Sequence, residues 1–273
     1  MALIKSKTPK VYKNKKLNTA NFGDYNLNDY QAFLHLISKI GGVDEMGRYL
    51  QPNELDRSYI LTAKEFSEQF NLEIDSVYTV LKRVAKRLTQ TSITLEHPDL
   101  FETWHIALCS ISKYNHKEGS LTIKFTEEIM PYLAQVKQKF VLYNLKEVAN
   151  FGSLHTTRLY ELIQEFKDTG YIVKSIAQLR ELFAVGSKYS DYNDFKRKPF
   201  GHAINEINSQ YELNITFEEI KEIRKVTAIK FSFNRTIVIN GVDTKGNPKN
   251  TYLKPRRKIL LGKLKQDELD LQS

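Results

Sequence analysis

Thr62-Ala63-Lys64-Glu65 and Ser175-Ile176-Ala177-Gln178 stand 113 residues apart, and each follows a short β-like run, Tyr59-Ile60-Leu61 in one place and Tyr171-Ile172-Val173 in the other. Both tetrads have the form of a capping box. The hydroxyl of the first residue accepts from the amide of the fourth, and the fourth side chain reaches back to the first amide. Two helix starts are therefore marked. The same 113-residue slide lays Phe66, Glu68 and Phe70 on Leu179, Glu181 and Phe183, so the two helices share a cap, core positions and an acid. That is an internal structural repeat.

Upstream of the first box, Tyr30, Phe33, Leu34, Ile37 and Ile40 recur at helical spacing and stop at Gly41-Gly42. Upstream of the second, Leu159, Leu162, Ile163 and Phe166 mark a helix over 153–168, before Gly170. Downstream of the first box, Val77, Leu81, Val84, Ala85 and Leu88 predict another helix, and residues 92–125 alternate as strands around a turn at 115–119. There Trp104, Ile106 and Leu108 share a face and are expected to form one ribbon with Leu121, Ile123 and Phe125, ahead of a further helix through Ile129 and Leu133. Downstream of the second box, a helix within 191–209 precedes two alternating runs, 213–217 and 229–233. Helix, short strand, helix, helix, β-hairpin is the order of a winged helix, a helix-turn-helix variant whose last helix enters the major groove. The expected fold class is α+β, with two such domains in tandem.

The 273 residues carry 41 Lys+Arg against 32 Asp+Glu, a net charge of +9 that favours a polyanionic partner. Residues 1–24 hold +5 and residues 236–273 hold +4, while 25–150 come to −2 and 151–235 to +2. The charge thus divides the chain into a basic N-terminal arm (1–24), a first winged-helix domain (25–150), a second (151–235) and a basic C-terminal extension (236–273). Each end reads either as a solvated tail or as a phosphate-contacting arm, with Lys254-Pro255-Arg256-Arg257-Lys258 the best candidate for the latter. No apolar run exceeds four residues, whereas a membrane span needs about 20 and a signal peptide roughly 7–15. A soluble, cytoplasmic protein with no membrane partner is expected. The single Cys109 allows neither an internal disulfide nor a cysteine-based zinc site.

The third helix of each unit carries the candidate DNA contacts. In the first, Val77, Val80, Leu81, Val84 and Leu88 fall on one arc and Lys82, Arg83, Lys86 and Arg87 on the opposite one. On an isolated helix this would be an ordinary solvated face; in the recognition position it points to DNA. In the second, Phe195, Ala203 and Ile207 define a core side, with Arg197, Lys198, Gly201 and Asn205 opposite. Arg197 suits guanine and Asn205 suits adenine, and Lys188 and Lys196 complete the candidate set. Pro199 removes an amide and disfavours helix before it. A helix broken or begun there would turn Lys196, Arg197 and Lys198 into phosphate contacts at its entry.

The sequence carries no recognisable catalytic or nucleotide-binding motif. The nearest stretch to a nucleotide-binding loop, Gly241 to Asn247, has Asn where the phosphate-binding Lys belongs. The six His residues contain no His-x-His or His-Glu-x-x-His pair. No catalytic residue, metal or cofactor is expected, and the chain does not read as an enzyme.

Several stretches resemble the plasmid replication initiators with two winged-helix domains, which bind repeated origin sequences called iterons. They are Phe66 to Leu88 with Tyr78 and Lys82-Arg83, Leu121-Thr122-Ile123-Lys124-Phe125 followed by Pro131-Tyr132-Leu133, and Arg158-Leu159-Tyr160-Glu161-Leu162. The most specific runs from Tyr192-Asn193-Asp194-Phe195-Lys196-Arg197 through Ala203-Ile204-Asn205-Glu206-Ile207-Asn208, and ends in Ile220-Lys221, Arg224-Lys225-Val226 and a strand to Phe233. The match is collinear over about residues 20–235. It departs at Pro199 and His202, where members often have an apolar residue and proline, and at Glu222-Ile223, where a glycine often precedes the arginine. The resemblance implies an initiator that binds direct-repeat duplex DNA at an origin as a monomer and recruits bacterial host initiator and helicase-loading proteins. It also implies a homodimer, joined through the first domain, that represses its own promoter. The 104–125 ribbon is the expected dimer element. Two alternatives share part of the pattern: a winged-helix transcriptional regulator, and a rolling-circle nickase, against which the missing His pair argues.

Overall fold

The computed structural model describes residues 9–19, 22, 25–40, 50–97, 100–133, 140–242 and 248–253. The chain begins with strand β1 (Lys10–Asn14) and a single helical turn, α1 (Lys16–Thr19). The first unit comprises α2 (Leu27–Ser38), β2 (Ser58–Thr62), α3 (Ala63–Phe70), α4 (Ile74–Gln90), β3 (Ser92–His97), β4 (Glu102–Ala107), β5 (Cys109–Asn115) and β6 (Ser120–Phe125). A short α5 (Met130–Leu133), strand β7 (Phe140–Asn144) and α6 (Leu145–Ala149) lead to the second unit. There α7 (Leu154–Glu165), β8 (Tyr171–Ser175) and α8 (Ile176–Leu182) precede α9 (Tyr192–Phe195), which passes through a wide turn (Lys196–Gly201) into α10 (His202–Gln210). Strands β9 (Thr216–Glu222) and β10 (Lys225–Ser232) close it, and β11 (Arg235–Val242) pairs with β12 (Pro248–Leu253) beyond.

Both capping boxes form. Thr62 Oγ1 accepts from the Glu65 amide at 3.2 Å while Glu65 accepts from the Thr62 amide, and Ser175 and Gln178 do the same at 3.1 and 3.0 Å. The repeat extends to the sheets: β2 pairs with β6 and β6 with β5, as β8 pairs with β10 and β10 with β9, all antiparallel. Each unit is thus three helices on a three-stranded sheet whose last two strands make the wing. Asn71, at φ 50°, ends α3 in the left-handed conformation and turns the chain into α4. The apolar face of α4 (Val77, Leu81, Val84 and Leu88) is buried with Leu121, Ile123 and Phe125 of β6. In the second unit Leu159, Leu179, Phe195, Phe200, Ile229 and Phe231 are buried likewise.

Two sequence expectations need correction. The ribbon joining Trp104, Ile106 and Leu108 to Leu121, Ile123 and Phe125 does not form. Instead β4 pairs with β3, setting Ile106 opposite Ile93 and Trp104 opposite Leu95, while the wing is β5 with β6. The alternation had the correct period, but 92–125 holds two hairpins, and period alone does not say which strands pair. The ends are also less tail-like than their charge suggests. Residues 10–14 pair with β7 in register Lys10 to Asn144, and Val11, Lys13, Leu17 and Asn18 are buried; residues 235–253 contain the β11–β12 hairpin. Gly41-Gly42 and Lys254 to Lys258 lie outside the described residues.

A buried polar cluster joins the N-terminal segment to both units. Glu161 on α7 accepts from Lys13 Nζ at 2.6 Å, from the Tyr30 hydroxyl at 2.7 Å and from the Tyr143 hydroxyl at 2.5 Å. Arg158, one turn earlier, donates to the Tyr30 oxygen and to the carbonyls of Leu17, Asn18 and Leu182. Both cations and the acid are essentially inaccessible. Burial pulls the Lys13 amine down to about 8, against the pull of Glu161.

Candidate nucleic-acid interface

In the first unit α4 presents two kinds of basic residue. Lys82 and Lys86 are exposed, and neither has an ion-pair partner among the described residues. Arg83 and Arg87 are half-buried against α2, with Arg83 Nε 3.0 Å and Arg87 Nη1 2.7 Å from the two oxygens of Asp29. Asp29 is fully buried and also takes part in the capping box of α2 with Asn26. The four cations that sequence spacing placed on one face thus separate into two free ammonium groups and two guanidiniums that tie α4 to α2. Asp29 was missed, although Asn26 three residues before it is the signature of a cap.

In the second unit the chain stays helical from Tyr192 to Gln210. Pro199 neither breaks nor begins the helix: it sits inside a π-type turn, where the wider i→i+5 spacing accommodates a residue with no N–H. The turn brings backbone close together, since a Cβ on Gly201 would stand 2.7 Å from the Lys196 carbonyl oxygen. Phe195, Pro199, Phe200, Ala203, Ile204 and Ile207 face the core, leaving Arg197, Lys198 and Asn205 exposed. Arg197 and Asn205 line one open cleft of 460 Å³, with Asn193, Lys196, Gly201, Ile204 and Phe217.

Acids hold the cations of this helix. Lys196 Nζ lies 2.7 Å from Glu219 on β9 and 5.4 Å from the Phe217 ring centre. Arg197 and Lys198 share Oδ1 of Asp194, at 2.9 and 3.3 Å. Hydrogen bonds from Arg197 and Lys198 hold the Asp194 carboxyl below its usual range, as the bond from Lys196 does for Glu219. Lys188 is exposed in the turn before α9, whose carbonyls at Gly186, Lys188 and Tyr189 are gathered by Arg180. Neither Asp194, Glu219 nor Arg180 was singled out from sequence. The helical spacing of Asp194 to Arg197 and Lys198 was visible there, whereas Glu219 reaches Lys196 only through the fold.

Among the described residues no group of three or more His, Cys, Asp or Glu could hold a metal, and no helix is long and apolar enough to cross a membrane. Two tandem winged helices, each offering its third helix to solvent with basic residues outward, define a duplex-DNA-binding class of protein. The chain belongs to the initiator replication protein family: residues 10–164 match the first winged helix of the family (Initiator Replication protein, WH1) and residues 175–233 the second (Initiator Rep protein, WH2). It is 28% identical over 218 residues to the PI protein of Escherichia coli, covering 67% of this chain and 71% of that one. To a replication initiation protein of Escherichia coli it is 25% identical over 167 residues, or 56% of this chain and 50% of that one. The crystal structure of Pi initiator protein in complex with iteron DNA superposes with a TM-score of 0.66 at 25% identity, covering 84% of this chain and 98% of the other.

Proposed function

We propose that the chain is a plasmid replication initiator that reads iteron DNA with both winged helices, dividing the labour between them. The first domain, 25–150, would grip phosphates through Lys82 and Lys86 of α4, with Arg83 and Arg87 behind them. The second, 151–235, would read base edges through Arg197 and Asn205, with Lys188, Lys196 and Lys198 at the backbone. The observation that carries this reading is the contrast in pairing: α4 offers free ammonium groups, suited to point contacts with phosphate, whereas Arg197 and Asn205 line a cleft with their neighbours held in place. The likeness to an initiator bound to iteron DNA supports the partner.

Recruitment of host initiator and helicase-loading proteins, and autorepression by a homodimer in equilibrium with monomer, belong to the same proposal on the strength of family membership. For the dimer, β5 is an edge strand among the described residues, paired with β6 on one side only, and such an edge is a template for another chain.

Hydroxyl-radical footprinting on a direct-repeat duplex tests the two-head reading. Protection is expected in two successive major grooves, about 10 bp apart on one face; protection of one groove alone overturns it. Maintenance in trans of a plasmid that carries only the origin separates an initiator from a transcriptional regulator.

A further inference from the structure

Three cations follow one another into the reading helix, and in the free protein a carboxylate holds each of them. Lys196 is held by Glu219, while Arg197 and Lys198 converge on Asp194. The free lysines of α4, Lys82 and Lys86, have no such acid among the described residues. Asp194 stands on the surface that must approach a polyanion, at 41% side-chain exposure. A carboxylate there opposes phosphate and weakens binding to every sequence alike. Its exposed ion pairs contribute little to stability, and its place in the first turn of α9 adds only the modest stabilisation of an acid at a helix N-terminus.

What the acid supplies is orientation. Arg197 is 74% exposed on its own side of the pair, and an unheld side chain of that exposure samples many rotamers and can settle on any phosphate. A guanidinium carries five donors in a fixed fork. With Nη2 engaged by Asp194 at 2.9 Å, the fork is biased toward one direction and keeps donors for a planar acceptor pair such as guanine O6 and N7. Lys198, held by the same oxygen with its ammonium over the Tyr189 ring at 5.7 Å from the centre, is likewise held to one direction, so that it meets the backbone at one place rather than settling on any phosphate. We propose that Asp194 is a specificity-determining positioning residue, which orients Arg197 for a base edge and penalises non-specific phosphate binding by the second winged helix. Discrimination is a difference of affinities, and an element that repels the wrong mode raises it as surely as one that favours the right mode.

This inference rests on Arg197 as a base reader, so the test includes that residue. The full chain and its Asp194→Asn, Asp194→Glu and Arg197→Ala variants are titrated against three probes. These are a duplex selected by the unsubstituted protein from a randomised pool, the single-base-pair variants of that duplex, and a mixed-sequence duplex of equal length. Arg197→Ala should relax one base pair. Asp194→Asn should reduce discrimination at that same base pair roughly five-fold or more. It should also raise affinity for the mixed-sequence duplex roughly two- to five-fold, with a salt slope steeper by about one. Asp194→Glu should restore part of the discrimination. Asp194→Asn with undiminished discrimination overturns the proposal, as does an equal loss of affinity for every duplex, the mark of a purely structural role. If Arg197→Ala relaxes no base pair, the base-reading role itself fails and this inference with it.

Discussion

Lys86 and Arg87 are neighbours on α4, and their contacts assign them different roles. Lys86→Ala removes an exposed ammonium with no partner, so stability should stay within about 0.5 kcal/mol. DNA affinity should fall equally for all sequences, with a salt slope shallower by about one. Arg87→Ala takes a donor from a buried carboxylate and should cost about 1–3 kcal/mol of stability. Urea unfolding beside salt-titrated binding separates the two outcomes. His35 governs a second measurable. It is buried against Phe66 and Phe70, its Nδ1 has no hydrogen-bond partner among the described residues, and burial, reinforced by Lys39 and opposed by Glu65, lowers its imidazole to about 4. Between pH 6.5 and 4 the unfolded chain binds the proton and the folded chain does not, so stability falls as pH drops through that window. The full effect is about 3 kcal/mol. His35→Leu should flatten the acid limb of stability against pH, and an unchanged limb would remove His35 from the account.

At the scale of the element, what could be read from sequence was whatever local chemistry decides. The capping boxes at Thr62 and Ser175 and the apolar arc of α4 are set by neighbours within four residues, and each stands where its spacing put it. The second wing is displaced, since the strand expected over 213–217 starts only at Thr216 and runs to Glu222, and its partner starts at Lys225 rather than at 229. Pairing was not legible, because Ile106 alternates equally well opposite Ile93 or opposite the 121–125 strand, and only the fold chooses. Burial of Lys13 was not legible either: six lysines in residues 1–24 look like a tail until Glu161, far along the chain, supplies the partner. The π-type turn is an intermediate case. Pro199 announced an irregularity, but not that the helix would widen and continue, keeping Phe195 and Phe200 in the core with Arg197 outside. Gly201 is what permits it. Gly201→Ala would press a Cβ on the Lys196 carbonyl and should cost about 1–3 kcal/mol. It should also cost more DNA affinity than the lost stability alone explains, since Arg197 and Asn205 flank the turn. Unfolding and binding measured together on the variant check this; unchanged values in both would show that the turn relaxes freely.

Across the whole molecule, two reading helices are useful only if their separation is fixed, and the buried cluster around Arg158 and Glu161 joins elements of both units. Lys13 comes from β1, Tyr30 from α2, Tyr143 from β7 and the two central charges from α7, so one network binds the N-terminal segment and the first unit to the second. Buried ion pairs seldom add net stability over apolar packing of the same volume, because desolvation offsets their attraction, yet removing one partner costs about 3–5 kcal/mol. The expected effect of the network is therefore on the arrangement of the two units more than on net stability. Arg158→Met keeps most of the side-chain volume while releasing the carbonyls of Leu17, Asn18 and Leu182 and the Tyr30 hydroxyl. The buried apolar residues, one cluster that runs through both units, stay in place, so both heads should still fold and bind. Their spacing should be less sharply fixed. On a duplex with the native spacing, affinity should fall about 10-fold or more as the gain from linking the heads declines. On duplexes with a few base pairs inserted between the two grooves, the variant should tolerate the insertion better than the unsubstituted chain. Hydroxyl-radical footprints over that insertion series decide the matter. A variant whose spacing preference matches the parent's would show that the heads are held apart by something other than this cluster.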